Sequence, residues 1–187
     1  MTSIEIAIAG IWLMMPALIP NSAAVLVGGG TPLDLRRSWR GRRILGDGKT
    51  WRGFFGGALA GTAFGAVQIG AVDAYGLEEI WSFGGWPSSL VVVACLAFGS
   101  MTGDCLGSFV KRRIGLDRGN KAPGLDQYNF VIGSVAFVLI LQPDWFREHF
   151  IDGSGILALA LIIFLIPILH RGVNIIGYKL GKKNVPW

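Results

Sequence analysis

Residues 155–176 read GILALALIIFLIPILHRGVNII, and this stretch decides the class of fold. It contains one arginine and no acidic residue. An α-helix needs about 20 apolar residues to cross the ~30 Å hydrocarbon core of a bilayer. The stretch therefore predicts a membrane-spanning helix.

Four further apolar blocks precede this one along the chain. The five blocks together cover residues 4–29, 54–72, 87–103, 127–142 and 155–176. Of the 187 residues, 52% are hydrophobic and only 16% are charged, which is too little charge to cover a water-exposed surface. The first block has Glu5 near its start instead of a basic segment, and it is too long for a cleaved signal peptide. We predict a single all-α domain over residues 1–187, a polytopic integral membrane protein with five transmembrane helices.

The basic residues predict how these helices are oriented. Sixteen of the 17 lysines and arginines lie in segment 30–53, in segment 104–126 or from Arg171 to the carboxyl terminus, and only Arg147 lies on the other side. Cytoplasmic loops carry the excess of basic residues in membrane proteins. With five spans, the amino terminus is outside and the carboxyl terminus is cytoplasmic. Segments 30–53 and 104–126 are then two long cytoplasmic loops, which we predict form the active site. The basic charge therefore reflects topology rather than nucleic-acid binding.

Four polar residues follow the third block at a helical spacing. Asp104, Ser108, Lys111 and Arg112 occupy positions i, i+4, i+7 and i+8, which share one helical face. A carboxylate at one end of this face can hold a hard cation, and the basic pair at the other end can bind phosphate oxygens. The alternative is an amphipathic helix end at the membrane surface.

The fourth block opens with two more candidate ligands. Asp126 and Asn129 lie three residues apart at a predicted helix amino terminus, where the helix dipole favours anions. Asp126 has the alternative of a helix cap, and Asn129 has that of a hydrogen-bonded polar residue within the bundle.

The first loop ends in the glycine-rich stretch GDGKTWRG, residues 46–53. A Walker A motif is excluded, because it needs a glycine at the position of Arg43 and a preceding strand. What remains is a flexible backbone with polar side chains suited to triphosphate oxygens, or alternatively a helix start at the interface. The candidate substrate-binding residues here are Asp47, Lys49, Thr50 and Arg52.

Asn21 lies within the first block, after Pro16 and Pro20. The two prolines predict a broken helix, and a polar side chain at membrane depth usually faces protein or a cavity. Asn21 is therefore a candidate contact to substrate, with an internally hydrogen-bonded amide in a kinked span as the alternative.

Two of these stretches together resemble a known signature. Residues 103–112, GDCLGSFVKR, followed by residues 123–129, PGLDQYN, resemble the signature of the CDP-diacylglycerol synthase family. With residues 46–53, Asn21 and the GGGTPLD run at residues 28–34, the chain is most similar to the short archaeal branch of that family. Asn129 stands where the family usually has an aspartate.

The resemblance implies a Mg²⁺-dependent CTP:lipid-phosphate cytidylyltransferase of archaeal phospholipid biosynthesis. Its substrates would be CTP and the ether lipid 2,3-bis-O-geranylgeranylglyceryl phosphate, and its products CDP-archaeol and pyrophosphate. The active site would face the cytoplasm from the cell membrane. Alternatives are a synthase that acts on diacyl phosphatidic acid, or a non-enzymatic membrane transporter or scaffold. A CDP-alcohol phosphotransferase is disfavoured, because its dense run of aspartates is absent.

Within this hypothesis each candidate residue has a role. The predicted metal ligands are Asp104, Asp126 and Asn129. The predicted catalytic residues are Asp104, Lys111, Arg112 and Asp126, and the predicted substrate-binding residues are Asn21, Asp47, Lys49, Thr50, Arg52 and Ser108.

Overall fold

The computed structural model describes residues 2–77, 79–117 and 119–181. Its α-helices are α1 (Ser3–Val27), α2 (Trp51–Tyr75), α3 (Ser88–Arg113), α4 (Leu125–Leu141), α5 (Pro143–Phe150) and α6 (Gly155–Lys179). Between α1 and α2, strands β1 (Ser38–Trp39) and β2 (Arg42–Arg43) form a short antiparallel hairpin. A 3₁₀ turn covers Glu79–Trp81.

The prediction of an all-helical membrane protein is confirmed. Helices α1, α2, α3 and α6 are long and apolar enough to cross a bilayer. Helix α4 is apolar but has 17 residues, about 25 Å at 1.5 Å per residue. The number of spans and their orientation stay predictions.

The predicted second loop begins with a continuation of the third helix. Helix α3 runs past residue 103 to Arg113, which confirms the helical face predicted for Asp104, Ser108, Lys111 and Arg112. The connection to α4 is therefore shorter than the predicted loop. The hairpin and α5 were not predicted, because both are too short to leave a clear periodic pattern.

Glycines on α2 bring α1 and α3 into close contact with it. Gly57 lies against Pro20 of α1 and Met101 of α3, and Gly65 lies against Pro16 and Val93. Because the numbers rise on α2 as they fall on both neighbours, α2 runs antiparallel to α1 and to α3. Small residues of this kind let membrane helices approach closely.

The predicted break in the first helix is wrong. Helix α1 runs without interruption through Pro16 and Pro20. Proline lacks the N–H that would bond the carbonyl four residues earlier. For Pro16 that carbonyl belongs to Trp12, and Gln68 Nε2 of α2 donates to it at 2.9 Å. A neighbouring helix therefore replaces the lost bond.

Helix α4 packs antiparallel against α3 through a second set of glycines. A Cβ added to Gly99 would lie 2.7 Å from the Cα of Ser134, and one added to Gly103 would overlap the carbonyl oxygen of Asn129. Gly107 lies against the Asn129 side chain. This contact places the start of α4 beside the last three turns of α3, where the candidate residues lie.

Candidate active site

Lys49 and Asp104 form the first of two ion pairs at this end of the bundle. The Lys49 ammonium donates to Asp104 Oδ2, and both side chains are about one-fifth exposed. The backbone of Lys49 is fixed in turn, because its carbonyl accepts from the N–H of Leu33 at 2.8 Å. The structure therefore brings together two predicted site residues that lie 55 positions apart.

Lys111 and Asp126 form the second pair. Lys111 Nζ donates to Asp126 Oδ1 at 2.7 Å, and the N–H of Ala122 donates to Asp126 Oδ2 at 2.8 Å. Asp126 thus ties the end of α3 to the turn that precedes α4. It closes this turn as well as pairing with a lysine, but it is not the N-cap of α4, which is Gly124.

The two pairs lie along one side of α3. Lys111 follows Asp104 by seven residues, or about 10 Å along the axis, with the half-buried Ser108 between them on the same face. The Arg112 guanidinium lies beside the backbone of Gly46, 3.5 Å from where a Cβ on that glycine would be. The first loop therefore passes along α3. We call the charged site along this side of α3 the α3 slot, and it comprises Lys49, Asp104, Ser108, Lys111, Arg112 and Asp126.

Asn21 lies one helical turn deeper than Asp104. Its Nδ2 donates to Ser100 Oγ at 3.3 Å, and Ser100 Oγ donates to the carbonyl of Ala17 at 2.7 Å. The internally bonded alternative therefore describes Asn21 in this structure, although its position is next to the α3 slot.

Three further candidates make local contacts. Thr50 is buried, and its hydroxyl caps α2 by accepting from the N–H of Gly53 at 3.1 Å. Asp47 is exposed and pairs with Arg43 at 2.8 Å. Arg52 is exposed, and its side chain lies against Gly30.

Asn129 faces α3 but is engaged within the bundle. Its Oδ1 accepts from the N–H of Phe130 at 2.6 Å, and its side chain packs on Gly107. These contacts match the alternative of a polar bundle residue, and its role as a metal ligand stays a prediction.

The α3 slot contains two candidate ligands for a magnesium ion. Carboxylate oxygens of Asp104 and Asp126 are the ligand type that Mg²⁺ prefers, and magnesium sites often use only one or two carboxylates together with substrate phosphates. Among the described residues, no group of three or more His, Cys, Asp or Glu side chains could hold a metal. The two carboxylates are therefore of the ligand type that Mg²⁺ uses together with substrate phosphates, and in this structure each is paired with a lysine.

Asp34 is an organising residue that the sequence analysis did not select. Its side chain is fully buried, and Arg43 donates to it from Nη2 at 2.7 Å and from Nε at 3.2 Å. The N–H groups of Arg36, Leu45 and Gly46 also donate to it, each at 3.0 Å. Burial raises the pKa of Asp34, but these hydrogen bonds outweigh burial and hold the pKa well below its ordinary value. Its place at the end of the GGGTPLD run was the available signal.

We expect Asp34→Asn to loosen the first loop and to lower activity, since one amide cannot accept all five bonds. Trypsin cleavage at Arg36–Arg43 should accelerate. The control Asp47→Asn removes the exposed partner of Arg43 and should leave the cleavage rate unchanged.

The pH dependence of the first loop follows from the lowered pKa of Asp34. In the native protein the contribution of Asp34 to the stability of this loop is present above the ordinary pKa of 3.8, and it is lost as the pH falls below 3.8 towards the lowered pKa. Loop protection should therefore persist at pH 5, and equal cleavage of both variants would contradict this role.

The four membrane-capable helices and the two lysine–carboxylate pairs at one end of the bundle place this chain among integral membrane proteins with a charged site. The CarS-like family model, CDP-archaeol synthase, matches residues 3–187. The chain belongs to the CDP-archaeol synthase family, which confirms the predicted resemblance.

Individual relatives agree with this assignment. The chain is 46% identical over 183 residues to the CDP-archaeol synthase of Methanocorpusculum labreanum, covering 93% of this chain and 100% of the relative. It is 49% identical over 177 residues to that of Methanospirillum hungatei, with the same shares covered. A solved structure of an intramembrane enzyme for archaeal membrane lipid biosynthesis matches with a TM-score of 0.60 and 35% identity, covering 84% of this chain and 90% of that one.

Proposed function

We propose that this protein transfers a cytidylyl group from CTP to 2,3-bis-O-geranylgeranylglyceryl phosphate, yielding CDP-archaeol and pyrophosphate. Its membership of the CDP-archaeol synthase family supports the reaction. The observation that carries the assignment of the site is the α3 slot, where two lysine–carboxylate pairs meet at one end of an apolar bundle. The reaction joins a water-soluble polyanion to a membrane lipid, which requires a cationic site at the membrane surface.

The chemistry needs positioning and charge rather than a protein nucleophile. An oxygen of the lipid phosphate attacks the α-phosphorus of CTP, a new P–O bond forms, and the bond to pyrophosphate breaks. Negative charge develops on the leaving pyrophosphate, and positioned cationic groups stabilise such charge. Lys49, Lys111 and Arg112 line the α3 slot and would hold these phosphates, and Ser108 would donate a hydrogen bond.

Asp104 and Asp126 would hold Mg²⁺, with Asn129 as a third candidate. The bound ion would neutralise phosphate charge and orient the leaving group. For the protein's own residues this implies an exchange of partners. Lys49 and Lys111 leave their carboxylates and bind phosphate oxygens, so each carboxylate is released where a cation is needed.

The α3 slot is proposed to face the cytoplasm, with α4 as a fifth span. The antiparallel packing of α4 on α3 supports such a crossing, because α4 runs the length of the apolar part of α3. The concentration of basic residues near the slot supports the cytoplasmic side.

The test is incorporation of radiolabelled CTP into lipid by the purified protein, with and without Mg²⁺. The geranylgeranyl ether-lipid phosphate and diacyl phosphatidic acid are offered side by side. We expect Mg²⁺-dependent labelling of the ether lipid with release of pyrophosphate. A preference for the diacyl lipid would favour the broader CDP-diacylglycerol synthase activity. No labelling of either lipid by folded protein would favour the transporter or scaffold alternative.

Lys49→Ala is expected to raise the KM for CTP by about 10- to 100-fold, since hydrogen bonds to charged groups contribute about 1.5–3 kcal/mol. Steady-state kinetics with the lipid held constant measure this effect. Lys179→Ala removes an exposed lysine at the end of α6 and should leave the KM unchanged. An unaltered KM for CTP in Lys49→Ala would remove this residue from the site.

A further inference from the structure

The hairpin between α1 and α2 presents a basic surface that the reaction does not use. Residues 36–42 are all exposed, and four of these seven residues are arginines. The surface, which we call the arginine hairpin, comprises Arg36, Arg37, Arg40 and Arg42 with the half-exposed Trp39. The Arg40 guanidinium lies 5.2 Å from the centre of the Trp39 ring.

The arginine hairpin is fixed to the end of α3. Arg113 donates to the backbone carbonyls of Trp39 at 2.6 Å, Arg42 at 3.2 Å and Arg43 at 2.8 Å. The Trp39 ring also stacks on Phe109, with centroids 5.9 Å apart and planes 10° apart. The position of the hairpin along the membrane normal is therefore set by the last turns of α3.

The length of α3 allows these last turns to lie at the depth of the lipid headgroups. Helix α3 has 26 residues and spans about 39 Å, which exceeds the ~30 Å hydrocarbon core. Leu106, Val110 and Ile114 are exposed at a spacing of four residues, so an apolar stripe continues to the end of the helix. A tryptophan and several arginines beside such a stripe match the composition of a membrane interface.

We propose that the arginine hairpin is a binding surface for the anionic headgroups of the surrounding bilayer lipids. Basic residues next to a membrane are attracted to anionic headgroups over roughly a Debye length. The side chains of Arg36 and Arg37 are exposed. The surface thereby enriches anionic lipid beside the α3 slot. This surface is distinct from the residues proposed to bind CTP.

The test measures lipid binding without turnover, so it is independent of the proposed reaction. Wild-type protein is reconstituted in phosphatidylcholine vesicles, and spin-labelled phosphatidylglycerol and phosphatidylcholine are compared by electron paramagnetic resonance. The motionally restricted fraction reports the selectivity for the anionic lipid. We expect Arg36→Gln/Arg37→Gln to lower this selectivity by at least about threefold. The control Arg171→Gln/Lys179→Gln removes two exposed but separate charges on α6 and should lower this selectivity by less than the hairpin variant does.

Three outcomes would overturn the proposal. One is unchanged selectivity in the hairpin variant, and another is an equal loss in the α6 control. The third is an increased KM for CTP with unchanged lipid selectivity, which would make the arginines a nucleotide site. Arg37→Gln alone provides a milder variant if the double variant unfolds at a lower temperature, and it should show a smaller loss of the same sign.

Discussion

Replacing Asp104 with alanine is expected to lower kcat/KM for CTP by about 10²- to 10³-fold, the range typical of removing one electrostatic contact to a transition state. Asp104 holds the Lys49 ammonium in the α3 slot and is the deeper of its two carboxylates. Its loss removes a proposed cation ligand and also frees Lys49 from its fixed position. The measurement is radiolabelled CTP incorporation at saturating Mg²⁺, with thermal unfolding as a check that the variant folds.

Two further variants separate charge from structure. Asp104→Asn keeps the size and hydrogen-bonding reach of the side chain but removes its charge, so it should be nearly as inactive as alanine. Asp73→Asn removes an exposed carboxylate near the far end of α2 and should retain wild-type activity. Wild-type kcat/KM in folded Asp104→Ala would exclude this carboxylate from the site.

The helical face on α3 could be predicted because its spacing is local. Asp104, Ser108 and Lys111 are related by one helix, and the 3.6-residue period alone places them together. The partner of Asp104 could not be predicted in this way. Lys49 reaches it only because the first loop folds back along α3. The path of that loop depends on hydrogen bonds from Leu45 and Gly46 to the buried Asp34 carboxylate, and no periodic pattern in the sequence predicts them.

Several candidates proved to make contacts that local chemistry explains. Thr50 caps α2, Asp47 pairs with Arg43 four residues away, and Asn129 bonds the next backbone N–H. Short polar side chains near helix ends readily form such bonds, so residue type and position cannot distinguish a cap from a ligand. Asp34 is the opposite case, an organising residue that the sequence did not single out. It becomes buried only through the folding of the first loop, which residue type and position do not predict.

The glycines explain why the slot can form beside α4. The sequence has 28 glycines, and glycine within an apolar block is typical of close helix contacts, but the sequence does not indicate which glycines make them. The structure distinguishes two kinds. Gly103 lies in contact with the α4 backbone, whereas Gly70 on α2 has open space around it. An added methyl group should therefore have opposite consequences at the two positions.

Gly103→Ala is expected to lower the unfolding temperature by about 5–10 °C. The new Cβ would overlap the Asn129 carbonyl oxygen and lie 3.0 Å from the Cα of Gly133, so the α4 backbone must move away. Overpacking of this kind costs about 1–3 kcal/mol, and each kcal/mol shifts Tm by about 2–4 °C in a chain of this size. Because Asp126 begins the same helix, the displacement should also weaken its pairing with Lys111 and lower activity.

Gly70→Ala is the matched control, since it makes the same chemical change in a helix without a nearby neighbour. Alanine favours a helix over glycine by about 1 kcal/mol, so its Tm should stay the same or rise slightly. Unfolding is followed with a thiol-reactive dye that reports exposure of the two free cysteines, the buried Cys95 and the partly buried Cys105. Equal Tm values for the two variants would mean that α4 shifts without cost. The contact between α3 and α4 would then be too soft to hold Asp126 and Lys111 in one site.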